Sequence, residues 1–172
     1  MSPLYKTLTK IIVLQLFWFF SIKYGNHFVF PVVALSLFVI DFYVFGKKLL
    51  KGSQYIIFSI GLVIIGITMD KTFNYFGIIS WGTSFYPLEL LGVWIIFPTY
   101  YYQIFKKFES SSIISFLIGG IFGTFAYYSG TNLNTRIEMY ITPANLLAIT
   151  VLWGAFFSGS IMVSSRLLGN IK

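Results

Sequence analysis

The sequence predicts an all-α membrane protein, a compact bundle of six transmembrane helices with both termini in the cytoplasm. Hydrophobic residues make up 57% of the 172 residues and charged residues only 10%, and the mean hydropathy is +0.82. A soluble domain of this length cannot cover so much apolar side chain with so few charges, so we expect lipid to act as its solvent. Because no long polar segment interrupts the chain, residues 1–172 are predicted to form a single transmembrane domain.

Six apolar segments follow one another, each close to the length of about 20 residues that a helix needs to cross a bilayer. The predicted spans are residues 8–24, 29–45, 54–70, 87–105, 113–129 and 142–163. The first has a basic start like that of a signal peptide, but bulky residues stand where a small-residue cleavage site would follow. We therefore expect it to be retained as the first span.

The distribution of lysine and arginine predicts the orientation. With the N-terminus inside, the outer side holds only Lys23, Lys71 and Arg136, and the other nine of the 12 basic residues lie on the inner side. By the positive-inside rule, both termini face the cytoplasm. The basic residues lie in short loops between apolar segments. We therefore attribute the net charge of +7 to the orientation of the protein in the membrane, and we expect no nucleic-acid partner.

Small residues recur on one face of the last two segments. Helices in lipid associate through close backbone contact, which small residues allow. The predicted packing faces contain Gly119, Gly123, Ala126 and Gly130 in the fifth segment and Ala148, Ala155 and Gly159 in the sixth.

Asp70 and Lys71 follow the apolar run of the third segment and admit two interpretations. They mark the outer boundary of that span, or they belong to a polar site inside the bundle. If the helix continues past residue 69, then Gly66, Asp70, Asn74 and Gly77 share one small and polar face. That face would point toward the other helices.

Other polar residues also have a structural and a functional interpretation. Gln15, in the middle of the first span, either hydrogen-bonds to another helix or contacts a ligand. Asp41 is expected to pair with Lys47 or Lys48. Glu89 follows Pro87 and suits the first turn of a helix, where an acid meets the positive end of the dipole, but it could also meet Asp70.

Pro98 should bend the fourth helix, either to adjust its packing or to open a pocket lined by aromatic side chains. We select as candidate ligand-binding residues the polar and aromatic side chains in or beside the spans, namely Gln15, Asp70, Asn74, Glu89, Trp94, Tyr127 and Asn132. No catalytic residue is assigned. The chain has no cysteine and no Walker, dinucleotide or H-E-x-x-H motif, so neither a metal nor a cofactor is expected.

The stretches "LQLFWF", "GITMDKTFNYFGII", "PLELLGVWIIFPTYYYQIF" and "LIGGIFGTFAYYSGTNL" resemble a small uncharacterised family of bacterial inner-membrane proteins. The positions that match the family pattern are Gln15, Trp18, Asp70, Pro87, Trp94, Ala126, Tyr127 and Gly130. The resemblance covers nearly the whole chain. It implies a domain of unknown function, often encoded beside lipid-modifying enzymes of the cyclopropane-fatty-acid-synthase type.

Three functions are weighed. The first is a non-catalytic protein that binds a lipid or lipophilic small molecule as an accessory to lipid metabolism. The second is a small transport subunit that resembles a vitamin-capture component, although the first span lacks the small-residue face with which such components dock. The third is a membrane enzyme in which Asp70 and Glu89 divide acid and base roles. The expected partners are the bilayer, a lipophilic ligand and a membrane partner protein.

Overall fold

The computed structural model of the chain describes residues 3–25, 27–43, 52–82, 85–105 and 111–168. Within these ranges the chain forms six α-helices and one short β-ladder. The elements are α1 (Pro3–Tyr24), α2 (Val29–Asp41), α3 (Gly52–Tyr75), β1 (Ile79–Ser80), α4 (Leu88–Phe105), α5 (Ser112–Leu133), β2 (Glu138–Met139) and α6 (Pro143–Leu168).

Three of the described helices are long and apolar enough to cross a membrane, at Ser53–Tyr75, Ser112–Leu133 and Pro143–Arg166. Shorter apolar segments lie in α2, at Val29–Asp41, and in α4, at Leu88–Thr99. The prediction of an all-helical bundle is confirmed for the described residues, and three of the helices could cross a membrane. Six spans and the cytoplasmic position of both termini stay predictions.

Helix α3 continues one turn beyond the predicted span, to Tyr75. It ends at Gly77, whose φ of +66° suits glycine. The Gly77 amide donates to the Asn74 carbonyl at 3.0 Å, and the Ile78 amide donates to the Phe73 carbonyl at 2.9 Å. These two bonds form a Schellman motif. Gly77 therefore terminates the helix and is not part of the packing face on which the sequence placed it.

The ladder of β1 and β2 joins the two segments that follow α3 and α5. It is antiparallel, with Ile79 opposite Met139 and Ser80 opposite Glu138. The Tyr140 amide extends it by donating to the Ile78 carbonyl at 3.0 Å. The connections at this end of the bundle are thus held to each other.

Helices α5 and α6 pack against each other with their backbones in contact. A Cβ atom placed on Gly120 would lie 2.7 Å from the Thr150 carbonyl oxygen, and one placed on Gly154 would lie 2.8 Å from the Phe116 carbonyl oxygen. A Cβ atom on Gly119 would overlap the Phe157 Cβ atom, and one on Gly123 would overlap the Trp153 Cγ atom. Only glycine allows this approach. Gly159, predicted for the same face, has nothing within 4 Å of its Cβ position.

We expect Gly120→Ala to lower the free energy of unfolding by about 1–3 kcal/mol, because the added methyl group meets a backbone carbonyl that no rotamer change can move. Gly159→Ala is the matched control and should be neutral or stabilising by up to about 1 kcal/mol. Unfolding in mixed detergent micelles, followed by circular dichroism, measures both changes. Equal stabilities would show that α5 and α6 do not meet at Gly120.

Helix α4 lies at the centre and packs against α1, α2, α3 and α6. Its buried residues include Glu89, Trp94, Ile96 and Thr99, and Pro98 lies inside the helix and is fully buried. Asp41, at the end of α2, accepts a hydrogen bond from the Tyr55 hydroxyl at 3.0 Å. Its expected pairing with Lys47 or Lys48 lies outside the described residues.

Candidate functional site

Asp70 is the most deeply buried acidic side chain among the described residues, with 1% of its surface exposed. It lies on the face of α3 that is directed into the bundle, whereas Lys71, the next residue, is exposed. The carboxylate therefore does not reach water at a span boundary. The sequence allowed Asp70 to mark the outer boundary of the span or to belong to a polar site inside the bundle. The geometry agrees with the polar site.

Three side chains donate hydrogen bonds to the Asp70 carboxylate. The Trp94 indole Nε1 donates to Oδ2 at 2.6 Å. The Tyr86 hydroxyl donates to the same oxygen, and the Tyr127 hydroxyl donates to Oδ1. We call these four residues the Asp70 centre. It joins α3, the segment before α4, α4 itself and α5.

All three donors are neutral, and Asp70 forms no ion pair with any residue that the structure describes. Hydrogen bonds to a carboxylate offset part of the cost of removing it from water. They do not supply the opposite charge that a buried carboxylate usually has. The Asp70 carboxylate thus accepts three hydrogen bonds, but it has no counter-ion among the described residues.

A glycine on α3 makes the approach of Trp94 possible. A Cβ atom on Gly66, four residues before Asp70, would overlap the Trp94 indole ring. Since residues four apart lie on the same helix face, Gly66 leaves the space that the indole occupies beside Asp70. The small residue and the acid therefore form one site.

Aromatic rings surround the centre. Trp94 stacks on Trp153 with centroids 5.4 Å apart, and it meets Phe156 edge to face at 5.7 Å. Tyr127 meets Phe73 edge to face at 5.5 Å. Such pairs contribute about 0.5–1.5 kcal/mol each beyond their buried area. The rings hold the indole and phenol donors in position around the carboxylate.

Tyr86 differs from the other donors because it lies outside the helices. It is half-buried, it packs against Trp81 at 5.6 Å, and the neighbouring Phe85 is 83% exposed. Burial, followed by the Asp70 charge, raises the pKa of the Tyr86 phenol. The phenol keeps its proton and acts as a donor. It is the member of the centre that lies in a connection between elements.

Glu89 belongs to a different set of contacts. It is 3% exposed, and the Asn134 amide donates to its Oε1 at 3.4 Å. Arg136 joins the set through its backbone amide, which donates to Asn134 Oδ1 at 3.0 Å, and its guanidinium, which donates to the Gly25 carbonyl at 3.2 Å. The two carboxylates accept hydrogen bonds from different side chains. This geometry does not support a shared acid–base site.

The remaining candidates lie apart from the Asp70 centre. Asn74 donates to the Ile79 carbonyl at 3.1 Å and so connects α3 to β1. Asn132 is exposed and donates to the Tyr128 carbonyl within its own helix at 2.8 Å. Gln15 is exposed on α1. The structure brings together Asp70, Trp94 and Tyr127 of the predicted residues.

Tyr86 and Asn134 were not among the residues predicted from the sequence. Both lie in connections, where no helical periodicity indicates the direction of a side chain. The position of Tyr86 directly before Pro87 and the predicted fourth span was the available signal, because it fixes Tyr86 at the end of the bundle where Asp70 lies. Among the described residues, no three His, Asp or Glu side chains form a group that could hold a metal ion.

The model of a protein family described as "Protein of unknown function (DUF2878)" matches residues 7–159. The chain belongs to this family. The DUF2878 match includes every residue of the Asp70 centre, and it confirms the resemblance to an uncharacterised family. No curated protein and no solved structure gives a significant match. The expected gene neighbourhood beside lipid-modifying enzymes stays a prediction.

Proposed function

We propose that this protein binds a lipid or lipophilic small molecule within the membrane, with a cationic head of the ligand at the Asp70 centre. The observation that supports the proposal is a buried carboxylate that has three neutral donors and no counter-ion among the described residues. The proposal includes an accessory role in lipid metabolism and a place in the bacterial inner membrane with both termini cytoplasmic.

An ionisable side chain inside a membrane is costly, by about 2.5–3.5 kcal/mol on insertion scales, and is by default a functional candidate. A ligand cation would neutralise Asp70 in a region of low dielectric constant, where opposite charges attract strongly. Protonated amines and quaternary ammonium groups also bind the faces of aromatic rings. Tyr127 has such a ring, and its hydroxyl is bonded to the carboxylate.

Access to the carboxylate requires one donor to move, and Tyr86 is the donor best suited to do so. Trp94 is fixed by stacking on Trp153, and Tyr127 by its contact with Phe73. Tyr86 is half-buried and lies in the segment between the β-ladder and α4. Displacement of its hydroxyl by the head of a ligand would expose Oδ2 of Asp70 from the end of the bundle.

Tetraphenylphosphonium, a lipophilic cation without a hydrogen-bond donor, tests the proposal. We expect it to bind the purified full chain in detergent micelles, as measured by equilibrium dialysis. Asp70→Asn should weaken binding by about tenfold or more, because it removes the charge that attracts the cation. Glu89→Gln, a matched change at the other buried carboxylate near this end of the bundle, should leave the affinity unchanged.

Tyr86→Phe keeps the test decisive if Asp70→Asn does not fold. This change removes the hydroxyl that competes for Oδ2 but retains the carboxylate and the ring. We therefore expect tighter binding of the cation. Equal weakening in Asp70→Asn and Glu89→Gln, or no change in Tyr86→Phe, would contradict a cation site at Asp70.

The two other functions receive no specific support. An enzyme that uses Asp70 and Glu89 together needs both groups at one substrate, and here they have separate partners. A transport subunit would need the same ligand site together with a second protein.

A further inference from the structure

The exposed face of α1 forms an apolar groove that the Asp70 centre does not use. Its volume is about 370 Å³, and it is lined by Ile11, Ile12, Gln15, Leu16, Trp18 and Phe19. These positions recur at the spacing of one helix face. The groove therefore runs along the helix axis, with Ile12, Gln15 and Leu16 exposed and with Ile11 and Trp18 at the edge that meets the bundle.

Two cations lie at the C-terminal end of α1, toward which this groove runs. The Lys23 ammonium lies 5.5 Å from the ring centres of Phe19 and Tyr24, on an exposed side chain. Arg136 is also exposed, and it reaches the end of α1 by donating to the Gly25 carbonyl. The remaining N–H groups of the guanidinium exceed what one carbonyl can accept.

The exposed charges at this end are positive, and the Glu89 carboxylate lies buried beside Gly25. Helix α1 contains no Asp or Glu. Among the described acidic residues, Asp41, Asp70 and Glu89 are buried, and Glu138 in β2 is exposed. Neither Lys23 nor Arg136 forms an ion pair with a residue that the structure describes. Lys23 thus continues the face of the groove, and Arg136 lies at the same end of α1, beside Gly25.

We propose that this face binds an anionic phospholipid, with its phosphate between Lys23 and Arg136 and an acyl chain in the groove. Gln15 precedes Lys23 by eight residues, which is about 12 Å along the helix axis. Half of the hydrocarbon core is about 15 Å thick. With Lys23 at the headgroup level, the groove therefore covers the acyl-chain depth of one leaflet.

A second copy of the chain is the competing occupant, because the Gln15 amide can both donate and accept and so could pair with itself. Two copies inserted in the same orientation would, however, place their Lys23 side chains at the same end. The two Lys23 ammonium groups would repel each other, and α1 contains no acidic residue that could offset this repulsion. Charge complementarity therefore favours the phospholipid. The site is separate from the Asp70 centre, and its test is independent of the proposed function.

Native mass spectrometry of the full chain in detergent tests the inference, with dioleoylphosphatidylglycerol titrated against dioleoylphosphatidylcholine. We expect one phosphatidylglycerol to be retained at concentrations where phosphatidylcholine is not. The double change Lys23→Gln and Arg136→Gln should weaken that binding by about tenfold. The control, Lys71→Gln with Arg166→Gln, removes two exposed cations elsewhere and should leave it intact.

Leu16→Trp tests the acyl groove itself, because the larger side chain fills space that the chain of the lipid would occupy. It should weaken phosphatidylglycerol binding without changing the charge. Equal weakening in both double variants would overturn the inference, since it would assign the effect to total surface charge. A dimer that needs no lipid and is lost in Gln15→Leu would overturn it in favour of a second copy.

Discussion

Asp70→Ala should lower the free energy of unfolding by about 3–5 kcal/mol, the largest effect that we expect from a single change. The substitution leaves the Tyr86 and Tyr127 hydroxyls and the Trp94 N–H inside the bundle without their acceptor. An unsatisfied buried donor costs about 1–3 kcal/mol, and the alanine methyl group cannot accept a hydrogen bond in place of the carboxylate. Thermal unfolding in a fixed detergent, followed by circular dichroism, measures the loss.

Two further changes control this experiment. Asp70→Asn keeps one acceptor oxygen and should lose less stability than Asp70→Ala. Glu138→Ala removes an exposed carboxylate and should change stability by no more than about 0.5 kcal/mol. If Asp70→Ala were as stable as Glu138→Ala, the three donors would have other acceptors, and Asp70 would not join the helices as described.

Gly66→Ala is the second large effect that we expect. The new Cβ atom would overlap the Trp94 indole ring, so either α3 and α4 separate or the indole moves away from Asp70. Overpacking of this kind costs about 1–3 kcal/mol. Because the indole N–H also donates to Asp70, the change should disturb the centre as well as the packing. The same thermal unfolding measurement applies.

Gly61→Ala is the matched control on the same helix, since nothing lies within 4 Å of the Cβ position at Gly61. Replacement of glycine by alanine inside a helix is otherwise favourable by about 0.5–1 kcal/mol. The two variants should therefore change stability in opposite directions. A stabilising Gly66→Ala would mean that Trp94 does not lie against α3 at this position.

Parts of the Asp70 centre were predictable because they depend on local periodicity. The 3.6-residue repeat places Gly66 and Asp70 on one face of a helix, provided that the helix continues past residue 69. The structure shows that it does, to Tyr75. Gly77 was assigned to the same face wrongly, because the pattern of residues does not distinguish a packing glycine from one that ends a helix with positive φ.

Gln15 and Glu89 illustrate the limit of that approach. Both are polar residues in predicted spans, and for each a structural and a functional interpretation stood open. One lies exposed on α1, and the other is buried beside Asn134. Whether a side chain is buried depends on which helices pack against its own helix. A single sequence does not show which helices are neighbours.

The amino-acid sequence by itself determined that the chain is helical, with helices apolar enough to cross a membrane, since composition decides whether lipid or water can solvate its surface. It also identified Asp70, Trp94 and Tyr127 as candidate residues. The tertiary structure decided that Asp70 points into the bundle and that Tyr86, Trp94 and Tyr127 meet there. Those partners lie 16, 24 and 57 residues away along the chain. Such contacts arise from the packing of whole helices, whereas periodicity reports only on neighbours within a few turns.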